Sequence, residues 1–170
     1  LFREQGYENT TIEQIAEAAE VSPSTFFRYF ATKEDVVIYD TLDPILIGAW
    51  RAQPAELGPI AAMRAAMRQV FSEVDPAYLD EMTERGRLVY RVPELREAMV
   101  NDMLRTTNVI ANEIALRCGR SPDELEVRVF TGALMGALLA AMLPALSEEH
   151  PDYLRDLDPA FDFLEKGMPL

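Results

Sequence analysis

Residues 11–35, TIEQIAEAAEVSPSTFFRYFATKED, hold two short helix patterns joined by a turn, followed by the start of a third helix. Ile12, Ile15, Ala16 and Ala19 recur at helical spacing, and Thr10 with Glu13 is placed to form a capping box for a helix over 11–19. Ser22 is placed to cap the next helix, with Pro23 at its first position, where a missing N–H costs nothing. Phe26 and Phe30 supply that helix's anchor against Ile15, Ala19, Val21 and Val36, and Phe27 is read as packing beside them. Thr32, answered by Asp35, caps the third helix, whose apolar side draws on Val36, Val37, Tyr39, Leu42, Ile45, Leu46 and Ala49.

A helix that enters a duplex groove needs one apolar face to hold it and one short polar face to approach the bases. In 22–30 the polar side is Ser24, Thr25 and Arg28, which can reach base edges or nearby phosphates. Serine and threonine read bases weakly, whereas arginine can make the bidentate guanine contact, so Arg28 is the candidate for specificity. Tyr29 and Lys33 suit phosphate, and Thr10 and Thr11 at the preceding helix start can add phosphate contacts. Two alternatives stay open from the residues alone. Ser22 and Thr32 serve equally as helix caps, and Arg28 could pair at the surface with Glu13 or Glu17.

Charge qualifies this reading. The chain of 170 residues carries a formal charge of -13, which opposes a polyanionic partner. Its distribution matters more: residues 1–33 hold a net of -2 and the remainder -11, and no acid occurs from Val21 to Lys33. The candidate groove face is therefore locally positive, while the acidic body would be kept off DNA.

Composition sets outer bounds. Hydrophobic residues make up 49% of the chain, which excludes bulk disorder, and the length suits a small head with a larger body. The single cysteine, Cys118, permits no intrachain disulfide and no C-x-x-C site, as suits a reducing cytoplasm. The opening residues Leu1 to Gly6 read as the end of a helix already under way, with upstream residues expected to be absent. No secretory-type leader is visible. The apolar run Val129–Leu143 is short for a bilayer span and interrupted by Gly132 and Gly136, so a buried helix rather than a membrane segment is expected.

Helix signals dominate the rest, predicting an all-α fold: a helix-turn-helix head with a linker helix over 1–50 and a helical ligand-binding and dimerisation body over 51–170. RAQPAELGP at 51–59 reads as a loop. Helices follow from Ile60 to Val74, from Asp75-Pro76 to about Val92, and from Pro93 to Cys118-Gly119. Ser121-Pro122-Asp123-Glu124 starts a helix that is apolar on nearly every side after Val127 and that Pro144 should bend or end. Gly132, Gly136 and Ala140 recur every four residues and would let another helix approach closely. Together with a last helix across Pro159–Leu164, this predicts a four-helix homodimer seam, the alternative being a monomer that buries the helix within its own core.

The stretch Leu1–Val36 closely resembles the DNA-binding head of the TetR family of transcriptional regulators. The matching elements are LF..QGY..TT at Leu1–Thr11, IA..A.VS at Ile15–Ser22 and TFFRYF..KED at Thr25–Asp35. The resemblance implies a homodimer reading a palindromic double-stranded DNA operator, and a helical body whose ligand cavity alters head separation. It implies DNA-facing roles for Thr11, Ser24, Thr25, Tyr29 and Lys33, and it favours repression. Two departures stand out. Phe27 occupies a position where the family usually has tyrosine, losing a hydroxyl contact to phosphate. Glu20 stands where the family usually has glycine in the turn; if that turn needs positive φ, Glu20 carries roughly 1 kcal/mol of strain. RLVYRVPELREAM at Arg87–Met99 more loosely resembles the body of actinobacterial members similar to the mycofactocin-system repressor.

For a ligand, Met63, Met67, Phe71, Met82, Tyr90, Met99, Met103 and Phe130 could line an adjustable cavity, suited to a small apolar or amphipathic effector. The alternative for each is ordinary helix core. Arg64, Arg68, Arg87, Arg91 or Asn108 could add a polar feature, and Trp50 either sits at the pocket mouth or closes the core. An enzyme is not expected. His150 in SEEHPDY and Cys118 are accompanied by no nucleophile motif, phosphate loop, carboxylate pair or metal cluster, and no cofactor is called for. The rival to a DNA reader is a helical ligand-sensing or protein-interaction module that keeps the head without productive DNA binding.

Overall fold

The computed structural model describes residues 1–39, 42–142 and 155–169. Among these residues there are ten helices and no strand. They are α1 (Phe2–Gln5), α2 (Ile12–Ala18), α3 (Pro23–Tyr29), α4 (Lys33–Ile38), α5 (Leu42–Ala52), α6 (Pro59–Glu73), α7 (Pro76–Arg91), α8 (Pro93–Cys118), α9 (Leu125–Met142) and α10 (Leu157–Glu165). The expected break at Pro144, and the acidic piece around His150, lie outside the described residues.

Caps place the early helices. Gly6, at φ 84, ends α1. The capping box of α2 sits one residue later than expected: Gln14 N–H donates to Thr11 Oγ1 at 3.3 Å, and Thr11 N–H donates to Gln14 Oε1 at 2.9 Å. Glutamine at the third helical position answers a threonine cap as glutamate does, so Thr11 and Gln14 replace the expected Thr10 and Glu13. Ser22 caps α3 and Thr32 with Asp35 caps α4, as the sequence predicts.

The turn between α2 and α3 is a Schellman motif. Val21 N–H donates to the Ala16 carbonyl at 2.9 Å and Glu20 N–H to the Glu17 carbonyl at 3.0 Å. That geometry needs a left-handed residue, and Glu20 supplies it at φ 55. Glu20 therefore carries the strain of a side chain in the left-handed region.

The third helix is not continuous through Ala49. It stops at Ile38, and α5 starts at Leu42. Pro44 explains the break: in a continuous helix its ring would clash with the carbonyl four residues back and leave that carbonyl unbonded, whereas in the first turn of α5 it does neither. The register changes accordingly, leaving Tyr39 and Ile45 exposed and Val37 and Trp50 buried. At the other end of the body, α9 begins at Leu125 because residues 121–124 form a turn, closed by Ser121 N–H to Glu124 Oε1 at 2.7 Å.

Compactness divides the chain into two units, Leu1–Tyr39 with Leu88–Asp102, and Asp40–Arg87 with Met103–Leu170. In the first, Tyr7, Val37, Val89 and Leu95 form a small core against which Phe2, Val92 and Met99 pack. The segment RLVYRVPELREAM thus lies largely under the helix-turn-helix.

In the second unit the core gathers Trp50, Met63, Met67, Ile114, Leu134 and Phe161. Arg117 of α8 fans across the end of α5 and the loop after it. Its Nη2 donates to the carbonyls of Trp50 at 2.9 Å and Gln53 at 3.2 Å, and its Nη1 to those of Pro54 at 2.8 Å and Leu57 at 3.2 Å. The guanidinium also lies 5.2 Å from the Trp50 ring centroid. One turn earlier, the buried Glu113 takes Arg51 in a two-point pair at 2.9 and 2.5 Å. Helix α10 is held to α6 by Arg64, which donates to Asp162 at 2.7 Å and Glu165 at 3.1 Å, and by Arg68 on Asp158.

Helix α9 is apolar nearly all round, and the described residues of one chain cover it on one side only. Val127, Thr131, Leu134 and Ala141 are buried, whereas Leu125, Val129, Gly132, Gly136 and Ala140 are exposed. By length and composition its 18 residues could cross a membrane, and 22% of them are buried.

Candidate nucleic-acid interface

Helix α3 turns its apolar side inward through Phe26, which is buried, and Phe30, which is half-buried and packs 5.6 Å from it between ring centroids. At about 3.6 residues per turn, Ser24 and Arg28 fall opposite Phe26, with Phe27 on one flank and Thr25 on the other. Ser24, Phe27, Arg28 and Tyr29 are all exposed. Ser22 is also exposed; its hydroxyl caps Thr25 N–H at 3.1 Å and lies 2.8 Å from the Ser24 hydroxyl. Arg28 takes neither Glu13 nor Glu17 and has no carboxylate partner among the described residues. Its guanidinium carbon lies 5.0 Å from the Tyr29 ring centroid.

Phe27 departs from the expectation of a packed residue. It is 54% exposed, with its ring edge-on to Phe26 at 89° and 5.5 Å. The reason is angular: one residue past Phe26, it has already left the buried side of a helix only seven residues long.

Two predicted DNA residues turn inward. Thr10 is 1% exposed; its hydroxyl donates to the Gly6 carbonyl at 2.7 Å and accepts from Gln5 at 3.2 Å, so the turn before α2 uses it. Lys33 donates to the carbonyls of Tyr7 at 2.8 Å and Thr10 at 3.1 Å, with its ammonium 4.0 Å from the Tyr7 ring centroid. Both side chains are thus engaged within the head. Thr11 stays exposed as the cap of α2.

The Tyr7 hydroxyl completes this clasp by donating to Glu34. Burial first, and then the neighbouring Glu34 carboxylate, raise the phenol well above the ordinary tyrosine range. Burial acts to raise Glu34 as well, but the Tyr7 hydroxyl, its own backbone N–H, Thr32 and Lys33 outweigh it and hold the carboxyl below its usual value. The clasp joins the residues just before α2 to the first turn of α4, closing α2 and α3 into a loop tied at its base. The sequence reading missed it; the signal was Gly6-Tyr7 facing Lys33-Glu34 across that loop.

The eight candidate ligand residues are divided between the two units. Met63 and Met67 are buried in the second unit's core, with Phe71 and Phe130 half-buried against it. Met82 and Met103 are half-buried in the same unit. Met99 packs in the first unit's core, and Tyr90 is 63% exposed, because the chain over 88–102 is committed to the helix-turn-helix side. Trp50 closes the core rather than a pocket mouth. Of the polar candidates, Arg64 and Arg68 are taken by α10, Arg87 by Glu84 at 3.0 Å, and Arg91 and Asn108 are exposed. An open groove of about 410 Å³ instead runs between α5 and α8, with Pro44, Ile47, Gly48 and Arg51 on one side and Thr106 and Val109 on the other.

The architecture is that of a helix-turn-helix with an all-helical body. The chain belongs to the TetR family of bacterial transcriptional regulators. The family model described as bacterial regulatory proteins, tetR family, matches residues 1–39, and the one described as MftR C-terminal domain matches residues 57–169. The chain is similar to the HTH-type transcriptional regulator TcmR of Streptomyces glaucescens, 38% identical over 131 residues, which cover 73% of this chain and 58% of that protein. It is also similar to a protein of Mycobacterium tuberculosis named as a mycofactocin biosynthesis transcriptional regulator, MftR, 25% identical over 170 residues, covering 99% and 85% of the two. The matched part thus spans little more than half the length of TcmR. Family membership places the chain among regulators and not among enzymes.

Proposed function

We propose that this chain represses transcription as a homodimer on a palindromic duplex operator and releases it on binding a small apolar or amphipathic effector. In this reading residues 1–50 carry DNA recognition, and residues 51–170 carry dimerisation and effector binding, in the cytoplasm. The observation that carries it is the acid-free, solvent-facing arc of α3, where Arg28 has no carboxylate partner among the described residues. Arg28 reads a guanine edge, Ser24 and Thr25 approach bases or phosphate, and Tyr29, Thr11 and Ser22 contact the backbone. Thr10 and Lys33 act indirectly, by holding the turn that orients α2 and α3.

The bare side of α9 supports the dimer. A Cβ added at Gly132 or Gly136 would meet nothing within 4 Å, so a second helix has room to approach beside exposed Leu125 and Val129. The open groove between α5 and α8 is the candidate place for the effector, with Pro44, Ile47 and Val109 as its apolar wall and Asp43 and Arg51 as its charged rim.

The test is selection of duplexes from a random library by the full-length protein, followed by a salt titration on the winner. Affinity should fall steeply with salt, and Arg28→Ala should relax the preference at one base pair of each half-site. Enrichment of no sequence, or an Arg28→Ala variant with unaltered preference, would exclude this contact scheme and favour the interaction-module alternative.

A further inference from the structure

Phe27 is the one exposed aromatic on the groove-facing arc of α3 that has no polar atom to offer phosphate. It lies beside Ser24 and Arg28, and its ring is steadied edge-on against the buried Phe26. Resting on the DNA-reading function proposed above, we propose that Phe27 is a specificity-determining residue whose ring packs on the C5-methyl group of a thymine next to the base addressed by Arg28.

The chemistry favours this over a backbone contact. A phosphate oxygen beside a phenyl ring would lose water and gain no hydrogen bond in return. In the major groove, by contrast, thymine is the base that presents an apolar group, and apolar side chains including phenylalanine are its partners. Neighbouring positions also divide the work sensibly. Arg28, opposite Phe26, extends to a donor–acceptor edge, while Phe27 on the flank covers a methyl and excludes water from beside the guanidinium. Because the ring already has one fixed neighbour in Phe26, little freedom is lost when a thymine methyl packs on it.

The test removes the methyl without touching the protein. Deoxyuridine replaces thymine at each position of the selected operator in turn, and affinities are compared by fluorescence anisotropy. One position per half-site should weaken wild-type binding about fourfold, the transfer value of one methyl group, and symmetric replacement in both half-sites about 15-fold. Phe27→Ala should bind the thymine operator more weakly and show no further loss with deoxyuridine, whereas Phe27→Leu, still apolar, should keep part of the loss. Circular dichroism melting of both variants controls for folding. Wild-type indifference to deoxyuridine at every position, a selected operator without a fixed thymine, or a deoxyuridine loss that persists in Phe27→Ala would each overturn the assignment while leaving DNA reading intact. Failure to select any duplex would remove that function and the assignment with it.

Discussion

The two units of this molecule are held together by different chemistry. The first is small, and its helix-turn-helix is fixed by polar side chains in local patterns: the Thr11 and Gln14 box, the Ser22 cap, the Thr32 and Asp35 box, and the clasp of Tyr7, Lys33 and Glu34. The second rests on an apolar core rich in methionine and alanine, secured at its edges by arginines that reach across 60 to 101 residues of sequence. Local polar patterns fix helix ends to within a residue. Long-range arginine contacts fix which helices are neighbours. A unit that must present a few side chains at set angles uses the first, and one that must bury surface around a long apolar helix uses the second.

The sharpest way to break this contrast is at Arg117. Arg117→Met leaves the carbonyls around the end of α5 without their donor, and should lower stability by about 3 kcal/mol in urea denaturation, with Arg117→Lys recovering only part. Next in size is the clasp. Lys33→Met keeps the stem over Tyr7 but removes both carbonyl contacts, and should cost about 2 kcal/mol. It should also weaken binding to all duplexes alike, without shifting the preferred sequence.

A smaller effect is expected at Glu113 and depends on pH. The Arg51 hydrogen bonds first, and its charge in support against the opposing effect of burial, hold this carboxyl below the usual value of 4.5. A carboxyl lowered on folding adds stability that is present above its unfolded value and is lost as pH falls through the folded one. Stability should therefore drop below about pH 4.5. Glu113→Gln should flatten that acid limb and cost about 1.5 kcal/mol near neutrality. The smallest change has the opposite sign: Glu20→Gly relieves the left-handed turn and should raise the melting free energy by roughly 1 kcal/mol. It also removes a carboxylate from the turn before α3.

Legibility followed the same contrast. Ser22-Pro23 and Thr32…Asp35 could be read directly because capping couples residues three apart, and the left-handed turn could be anticipated at Glu20 from the family pattern. The break before α5 is marked by Pro44 but hidden by apolar spacing that runs smoothly across it. Phe27 reads as a packed residue, although counting residues from Phe26 round a short helix already takes it off the buried side. By contrast, nothing near Arg117 in the sequence points to Pro54 or Leu57, and nothing in the spacing of Tyr90 and Met99 shows that they lie in the other unit from Met63 and Met67. Those facts depend on which helices meet, and periodicity alone gives each helix a face without giving it a neighbour.

Helix α5 is tied to α8 at both ends: Arg117 and the Arg51 and Glu113 pair hold its Trp50 end, and Thr106 donates to Asp43 at 3.3 Å near Leu42. A displacement that keeps those bonds carries this helix of 11 residues along with α8, as one braced strut, rather than tilting α5 alone.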